Sequence, residues 1–76
     1  MTNRAIGQVI VELQSAREKF SPMHSAHEGY AVLLEEMDEL WIEVRTQNPS
    51  IDRMRKEAVQ VAAMAIRFIE DICNAK

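Results

Sequence analysis

Between residues 51 and 72, apolar side chains recur every three or four positions. This spacing collects them on one face of an α-helix, so the segment is predicted to be one long helix with a buried stripe. Glu57 falls within the arc of that stripe. A carboxylate there is costly to desolvate unless a cation, a hydrogen-bond donor or a proton compensates it, so Glu57 is predicted to have a specific role. The stripe consists of Ile51, Met54, Ala58, Val61, Met64, Ala65, Phe68, Ile69 and Ile72.

Two further helices are predicted upstream. The first extends from about residue 3 to residue 19, with Thr2 or Asn3 as its N-cap, and the second extends from residue 25 to about residue 45. Residues 20–24 contain a proline, which disfavours helical geometry at the preceding residue, and they are predicted to form a linker.

Serine residues precede the second and third helices. Ser25 and Glu28 match the S-x-x-E capping box, in which the two side chains satisfy backbone amides reciprocally, and Ser50 is positioned to cap the third helix. Gly29 makes the second helix less stable than alanine would, by about 1 kcal/mol. A close approach of another chain segment is therefore expected there. Tyr30 and Trp41 lie on the broad apolar face of the second helix and are predicted to belong to the core.

The composition favours an all-α fold. Hydrophobic residues make up 47% of the 76 residues and aromatic residues only 5%, with two glycines and two prolines, as expected for helices packed through aliphatic side chains. We therefore predict one domain, residues 1–76, that forms an antiparallel bundle of three main helices. A domain this short buries only about 60% of its unfolded surface, so oligomerisation is expected to complete the bundle. A second apolar strip on the third helix favours the same conclusion, and it comprises Val59, Ala62 and Ile66.

Charge and cysteine content restrict the partners and the compartment. The net charge of −3 argues against non-specific binding to nucleic acid or to an anionic membrane, because both need clustered lysine and arginine. The longest apolar run is too short for a membrane span. Cys73 is the only cysteine, so no intramolecular disulfide forms, and a cytoplasmic location is predicted.

Acidic residues cluster on the second helix. Glu36 and Glu39 share one helical face and Glu43 continues their row. A short connection makes consecutive helices antiparallel neighbours, so Glu36 and Glu39 are expected to face Glu57 and Gln60 in an oxygen-lined cavity suited to Mg²⁺. The competing interpretation is a solvated acidic edge paired with basic residues of the third helix, namely Arg53, Arg55 and Lys56.

The motif E-E-x-x-E at residues 35–39, followed after 17 residues by E-x-x-Q at residues 57–60, resembles the MazG-like branch of the all-α nucleotide pyrophosphohydrolases. The resemblance covers residues 27–71. It implies a helical bundle that assembles as a homodimer or homotetramer. It also implies a Mg²⁺ or Mn²⁺ cofactor and hydrolysis of nucleoside triphosphates to monophosphate and pyrophosphate.

The resemblance also implies roles for individual residues. Glu36, Glu39, Glu57 and Gln60 correspond to the metal ligands, although the family has an aspartate where this chain has Gln60. Glu35 corresponds to a catalytic residue, either the ligand of a further ion or the group that orients the attacking water. Gln60 offers a neutral carbonyl instead of an anionic ligand, which weakens the expected divalent site.

Three basic residues of the third helix are candidates for holding the outer phosphates, because they lie on the same side as Gln60. They are Arg53, Lys56 and Arg67. The alternative for each is an ordinary solvated charge. A second hypothesis for the whole chain is a non-catalytic MazG-like helical oligomer that binds a nucleotide or a protein. His24 and His27 lack a matching second pair of ligands, so a zinc site is not favoured.

Overall fold

The computed structural model describes residues 4–74, and every regular element within them is a helix. The elements in chain order are α1 (Arg4–Lys19), α2 (Ala26–Val44), α3 (Ile51–Phe68) and a π-helical turn (Ile69–Cys73) that continues α3. The prediction of an all-α bundle with three main helices is confirmed. The N-cap predicted at Thr2 or Asn3 lies outside the described residues.

Serine caps define where α2 and α3 begin. Ser25 Oγ accepts a hydrogen bond from the Glu28 backbone N–H (3.0 Å), and Ser50 Oγ accepts one from the Arg53 N–H (3.2 Å). The Glu28 carboxylate accepts from the N–H of His24 rather than that of Ser25, so this half of the predicted capping box is displaced by one residue. The caps satisfy amides that would otherwise lack partners and fix the start of each helix.

Helix α3 lies between α1 and α2 and packs against both. The buried centre is small and contains Ala16 from α1 together with Ala63 and Met64 from α3. Partly buried residues pack around it, namely Val9, Leu13, Val32 and Leu33. The result is a slab with principal extents of 43 × 31 × 20 Å. Among residues 4–74, no helix combines the length and apolar character needed to cross a membrane.

Helices α2 and α3 are antiparallel, as predicted. Gly29, near the start of α2, contacts the end of α3: a Cβ built at this position would lie 2.6 and 2.9 Å from two ring carbons of Phe68. It would also lie 3.1 Å from the Met23 sulfur. The expected close approach at Gly29 is therefore present, and it sets the distance between the two helices at this end of the slab.

The buried face of α3 differs from the predicted stripe. The most deeply buried residues of α3 are Ala63, Met64 and Arg67, whereas Ile51 is 68% exposed. The reason is that α3 has neighbours on two sides, which buries a broad arc that includes part of its polar side. The prediction that Tyr30 and Trp41 belong to the core is also wrong, because they are 64% and 59% exposed.

An ionic clamp connects the π-helical turn to α1 and to the linker. Asp71 Oδ1 accepts from Arg17 Nη1 (2.7 Å), and Asp71 Oδ2 accepts from the Met23 backbone N–H (2.9 Å). Glu70 accepts a second hydrogen bond from Arg17 (2.6 Å). Burial alone raises the pKa of Asp71, but the hydrogen bonds from Met23 and Arg17 outweigh burial and hold this pKa below its usual value. The clamp thus fixes the linker against the end of α3.

Candidate metal centre

Three carboxylates meet where α2 faces α3. Glu36 and Glu39 project from α2 and Glu57 from α3, and one oxygen from each lies within 4.8 Å of the other two. Glu36 and Glu57 are half-buried, while Glu39 is exposed. The three-residue spacing on α2 and the antiparallel packing bring these side chains together, as the sequence predicts. Three acids in one place create a site of concentrated negative charge.

Gln60 lies beside this cluster. When its amide nitrogen faces the acids, it donates to Glu36 Oε1 (3.0 Å) and Glu57 Oε1 (3.2 Å). A neutral donor placed between two carboxylates relieves part of their repulsion without supplying a positive charge. In this arrangement Gln60 bridges Glu36 and Glu57, and its carbonyl oxygen points away from them. An aspartate at the same position could only accept and would add a fourth negative charge.

The cluster raises the pKa values of two of its members. Burial, followed by repulsion from Glu39 and Glu57, raises the pKa of Glu36 from 4.5 to about 6. Burial and then the neighbouring Glu39 carboxylate also raise the pKa of Glu57, and the charge of Lys56 partly opposes this effect. Both shifts show that the cluster resists carrying its full negative charge. A bound cation would remove this penalty.

The stability of the protein is therefore expected to depend on Glu36 between pH 4.5 and about 6. In this window the folded state binds the Glu36 proton more tightly than the unfolded state, so the free energy of unfolding falls as the pH rises. Glu36→Gln, which cannot ionise, should gain stability relative to wild type by about 1 kcal/mol between pH 4.5 and pH 7. The full linkage of 1.36 kcal/mol for each pKa unit would give about 2 kcal/mol for the rise from 4.5 to about 6. The expected difference is smaller because water reaches the site and screens the charges.

Urea unfolding without metal at the two pH values measures this difference. The variant and the wild type differ by one amide, so the effects of pH on groups outside the acidic cluster cancel to first order. A stability difference between them that is the same at pH 4.5 and pH 7 would contradict the assignment of a raised pKa to Glu36.

The donor set fits a hard divalent cation. Mg²⁺ binds oxygen ligands at 2.0–2.1 Å in octahedral geometry, which places ligand oxygens about 3.0 Å apart when adjacent and about 4.2 Å apart when opposite. The carboxylate oxygens of the cluster lie within 4.8 Å of one another. Small side-chain rotations therefore suffice to bring Glu36, Glu39 and Glu57 to coordination distance. Three carboxylates leave room for waters or phosphate oxygens in the remaining positions.

A cleft of about 380 Å³ adjoins the cluster, and Glu36 belongs to both. The linker and α2 supply most of its walls, and Lys19 of α1 together with two residues of α3 supplies the rest. The apolar lining residues are Phe20, Pro22, Met23, Val32 and Met64, and the polar and charged ones are Lys19, Ser21, Glu28, Glu35, Glu36 and Arg67. The predicted catalytic residue Glu35 thus lies in the cleft next to the acidic cluster. Residues 20–24 were predicted only to connect two helices, and no sequence motif in them indicated that they line a cleft.

Arg67 is buried at the cleft. Its side chain is 5% exposed, and its Nη2 donates to the Ser21 carbonyl oxygen (2.9 Å). Its Nη1 lies 3.3 Å from the Met64 sulfur, and its Nε finds no partner in the described part of the chain. The alternative that Arg67 is a solvated charge is therefore wrong. A buried guanidinium with an unsatisfied N–H is costly, so Arg67 is held in place at the expense of stability.

The other two basic residues predicted to hold phosphate, Arg53 and Lys56, do not line the cleft with Arg67. Arg53 is exposed near the start of α3. Lys56 lies beside a separate groove between α1 and α3, together with Glu12. Arg55 forms an exposed ion pair with Asp52 (3.1 Å). The structure therefore brings the predicted acidic ligands together with Gln60 but distributes the predicted phosphate-binding cations over three places.

In comparisons with known proteins, no family model matches the chain, and no curated protein or solved structure is detectably similar to it.

Proposed function

We propose that this protein is a Mg²⁺-dependent nucleoside triphosphate pyrophosphohydrolase, which converts the triphosphate to the monophosphate and pyrophosphate. The observation that carries the proposal is the convergence of Glu36, Glu39 and Glu57 within 4.8 Å at the junction of α2 and α3. The resemblance of the E-E-x-x-E and E-x-x-Q motifs to the MazG-like enzymes supports the same assignment. Mn²⁺ has the same preference for oxygen ligands and is the expected substitute.

Different residues of the chain have different roles in such a reaction. Glu36, Glu39 and Glu57 would hold the cation, which would supply charge neutralisation at the phosphate oxygens and polarisation of the phosphorus centre. Glu35 lies in the adjoining cleft and orients the attacking water through its carboxylate. Gln60 keeps Glu36 and Glu57 close together while the cation is absent.

The cleft is the proposed substrate-binding site. Because Glu36 lines both the cluster and the cleft, a triphosphate held at the cluster extends into the cleft. Lys19 and Arg67 bring positive charge to its lining, which also carries the carboxylates of Glu28, Glu35 and Glu36. Arg53 and Lys56 remain candidates for the outer phosphates from the surface of α3. Apolar side chains from the linker provide a surface for the nucleoside.

A second candidate function is a non-catalytic module that binds a nucleotide or a protein. Gln60 favours it, because the amide satisfies Glu36 and Glu57 by hydrogen bonds that need no metal. A neutral residue at this position also lowers the charge available to a second cation, so in-line displacement between two metal ions is disfavoured. Under this hypothesis the acidic cluster is kept as part of the scaffold.

The two functions are separated by measuring pyrophosphate release from ribo-, deoxyribo- and modified nucleoside triphosphates with Mg²⁺ or Mn²⁺. For the enzyme we expect turnover that EDTA abolishes and that Glu39→Ala lowers at least about 100-fold, since even residues supporting metal ligands contribute 10–100-fold. Glu43→Ala is the matched control, because Glu43 continues the same row outside the cluster. A silent wild type with activity gained in Gln60→Asp would support the binding module instead.

A further inference from the structure

An apolar stripe on α2 faces away from the rest of the protein. It consists of Tyr30, Leu34, Met37, Trp41 and Val44, and we call these five residues the α2 stripe. Their side chains are 43–64% exposed. They are spaced alternately four and three residues apart, which is the repeat of helices that pack together over a long distance. The stripe extends over about 21 Å of helix at 1.5 Å per residue.

The composition of the α2 stripe is that of a protein interface. It contains two aromatic residues and a methionine, which are enriched at interfaces, and it contains no charged residue. Tyr30 also lines a shallow groove with Phe68 of α3, so the apolar surface continues from α2 towards the neighbouring helix. A contiguous apolar face of this kind is uncommon on a monomer that stays alone.

The total surface area indicates how much is left to cover. A monomer of 8.7 kDa is expected to expose about 4,700 Å² by the scaling of surface with mass, whereas this chain exposes 5,762 Å². The excess is about 1,000 Å², slightly more than the about 800 Å² that each partner buries in an interface of standard size. The flat slab, only 20 Å thick, has the shape that produces this excess.

We propose that the α2 stripe is the interface of a homodimer in which α2 of one chain packs against α2 of a second copy across a two-fold axis. A two-fold interface requires that one patch be complementary to itself, and an uncharged stripe fulfils this without any pairing of opposite charges. An anionic membrane surface is disfavoured as the occupant by the net charge of −3 and by Asp38, which lies on the same helix beside the stripe. When two chains pack together through this face, each three-helix slab forms one half of a larger helical bundle.

The proposal is independent of the acidic cluster, because none of the stripe residues is a candidate ligand. It also assigns the interface to α2, and not to the apolar strip on α3 that the sequence pattern favoured. The side chains of that strip, Val59, Ala62 and Ile66, are already half-buried in the single chain.

Sedimentation equilibrium of the full chain tests the assignment. We expect wild type to have twice the mass of 8.7 kDa, Met37→Glu at the centre of the stripe to be monomeric with its helical circular dichroism retained, and Val11→Glu to stay dimeric. Val11 is the control because it is an exposed apolar residue on α1, with 65% of its surface accessible against 49% for Met37. A monomeric wild type overturns the proposal in favour of a different protein as the occupant. A Met37→Glu variant that stays dimeric overturns it in favour of another face.

A second measurement needs no variant. Trp41 is the only tryptophan and belongs to the stripe, so its fluorescence reports on the interface directly. Dilution of wild type should shift its emission to longer wavelength as the dimer separates and water reaches the ring. An emission maximum that does not move over a dilution range in which the mass halves would show that Trp41 lies outside the interface and overturn the proposal.

Discussion

Glu57→Gln is expected to reduce Mg²⁺ affinity at least about 100-fold while leaving the metal-free protein at least as stable as wild type. The substitution removes one of three anionic ligands and keeps the size and most of the shape of the side chain. Because the pKa of Glu57 is raised, its ionised form is unfavourable in the metal-free fold. A neutral amide at this position therefore does not cost stability at neutral pH, and loss of metal affinity is not the result of unfolding.

Thermal unfolding with and without Mg²⁺ gives both quantities in one experiment. A cation that binds only the folded state stabilises it by about 2.7 kcal/mol at a hundred times Kd, so wild type should show a clear rise in Tm that Glu57→Gln lacks. Glu43→Gln is the control for the chemical change, since Glu43 lies outside the three-carboxylate cluster. Retention of wild-type affinity in Glu57→Gln would remove Glu57 from the metal site.

Gly29→Ala and Gly7→Ala should change stability in opposite directions. Both glycines lie within helices, where alanine is favoured by about 1 kcal/mol. At Gly7 a Cβ meets nothing within 4 Å, so the full gain is expected. At Gly29 the Cβ would lie 2.6 Å from the Phe68 ring, and relieving this overlap costs about 1–3 kcal/mol or more. Gly29→Ala is therefore expected to lose up to about 2 kcal/mol after the helix-forming gain of about 1 kcal/mol is subtracted.

The difference between the two variants is measured by urea or thermal unfolding. For a domain of 60–100 residues, 1 kcal/mol corresponds to about 4–8 °C in Tm, so the two variants should lie on opposite sides of wild type by several degrees. Phe68→Ala in the Gly29→Ala background provides a further check, because a smaller side chain at position 68 removes the overlap. The two substitutions should then be less harmful together than the sum of their separate effects. Equal stabilisation by both alanines would show that the Phe68 ring moves away from position 29 at no measurable cost in stability.

The sequence was sufficient for the helices and for the acidic cluster. Periodicity located α3 to within a few residues, and the serine caps are local signals that depend only on neighbouring residues. The meeting of Glu36 and Glu39 with Glu57 followed from two additional facts, the three-residue spacing and a short connection that makes α2 and α3 antiparallel. These features are set by the chain over short distances.

The distribution of burial could not be obtained in the same way. Whether an apolar face on a helix is covered depends on where the other helices lie, and α1 packs against α3 without covering α2. Tyr30 and Trp41 were therefore placed in the core although they are exposed. Arg67 shows the opposite error, since its burial depends on the Ser21 carbonyl, 46 residues away in sequence. A periodic pattern carries no information about such distant partners.

The clamp between Arg17 and Asp71 also bears on the order in which the protein folds. These residues are separated by 54 positions, and Met23 is separated from Asp71 by 48. During synthesis, α1 and the linker emerge long before the acid that holds them. The cleft wall formed by the linker is therefore completed late, and a long loop must close before the final contacts form, which slows folding relative to a bundle with only local contacts.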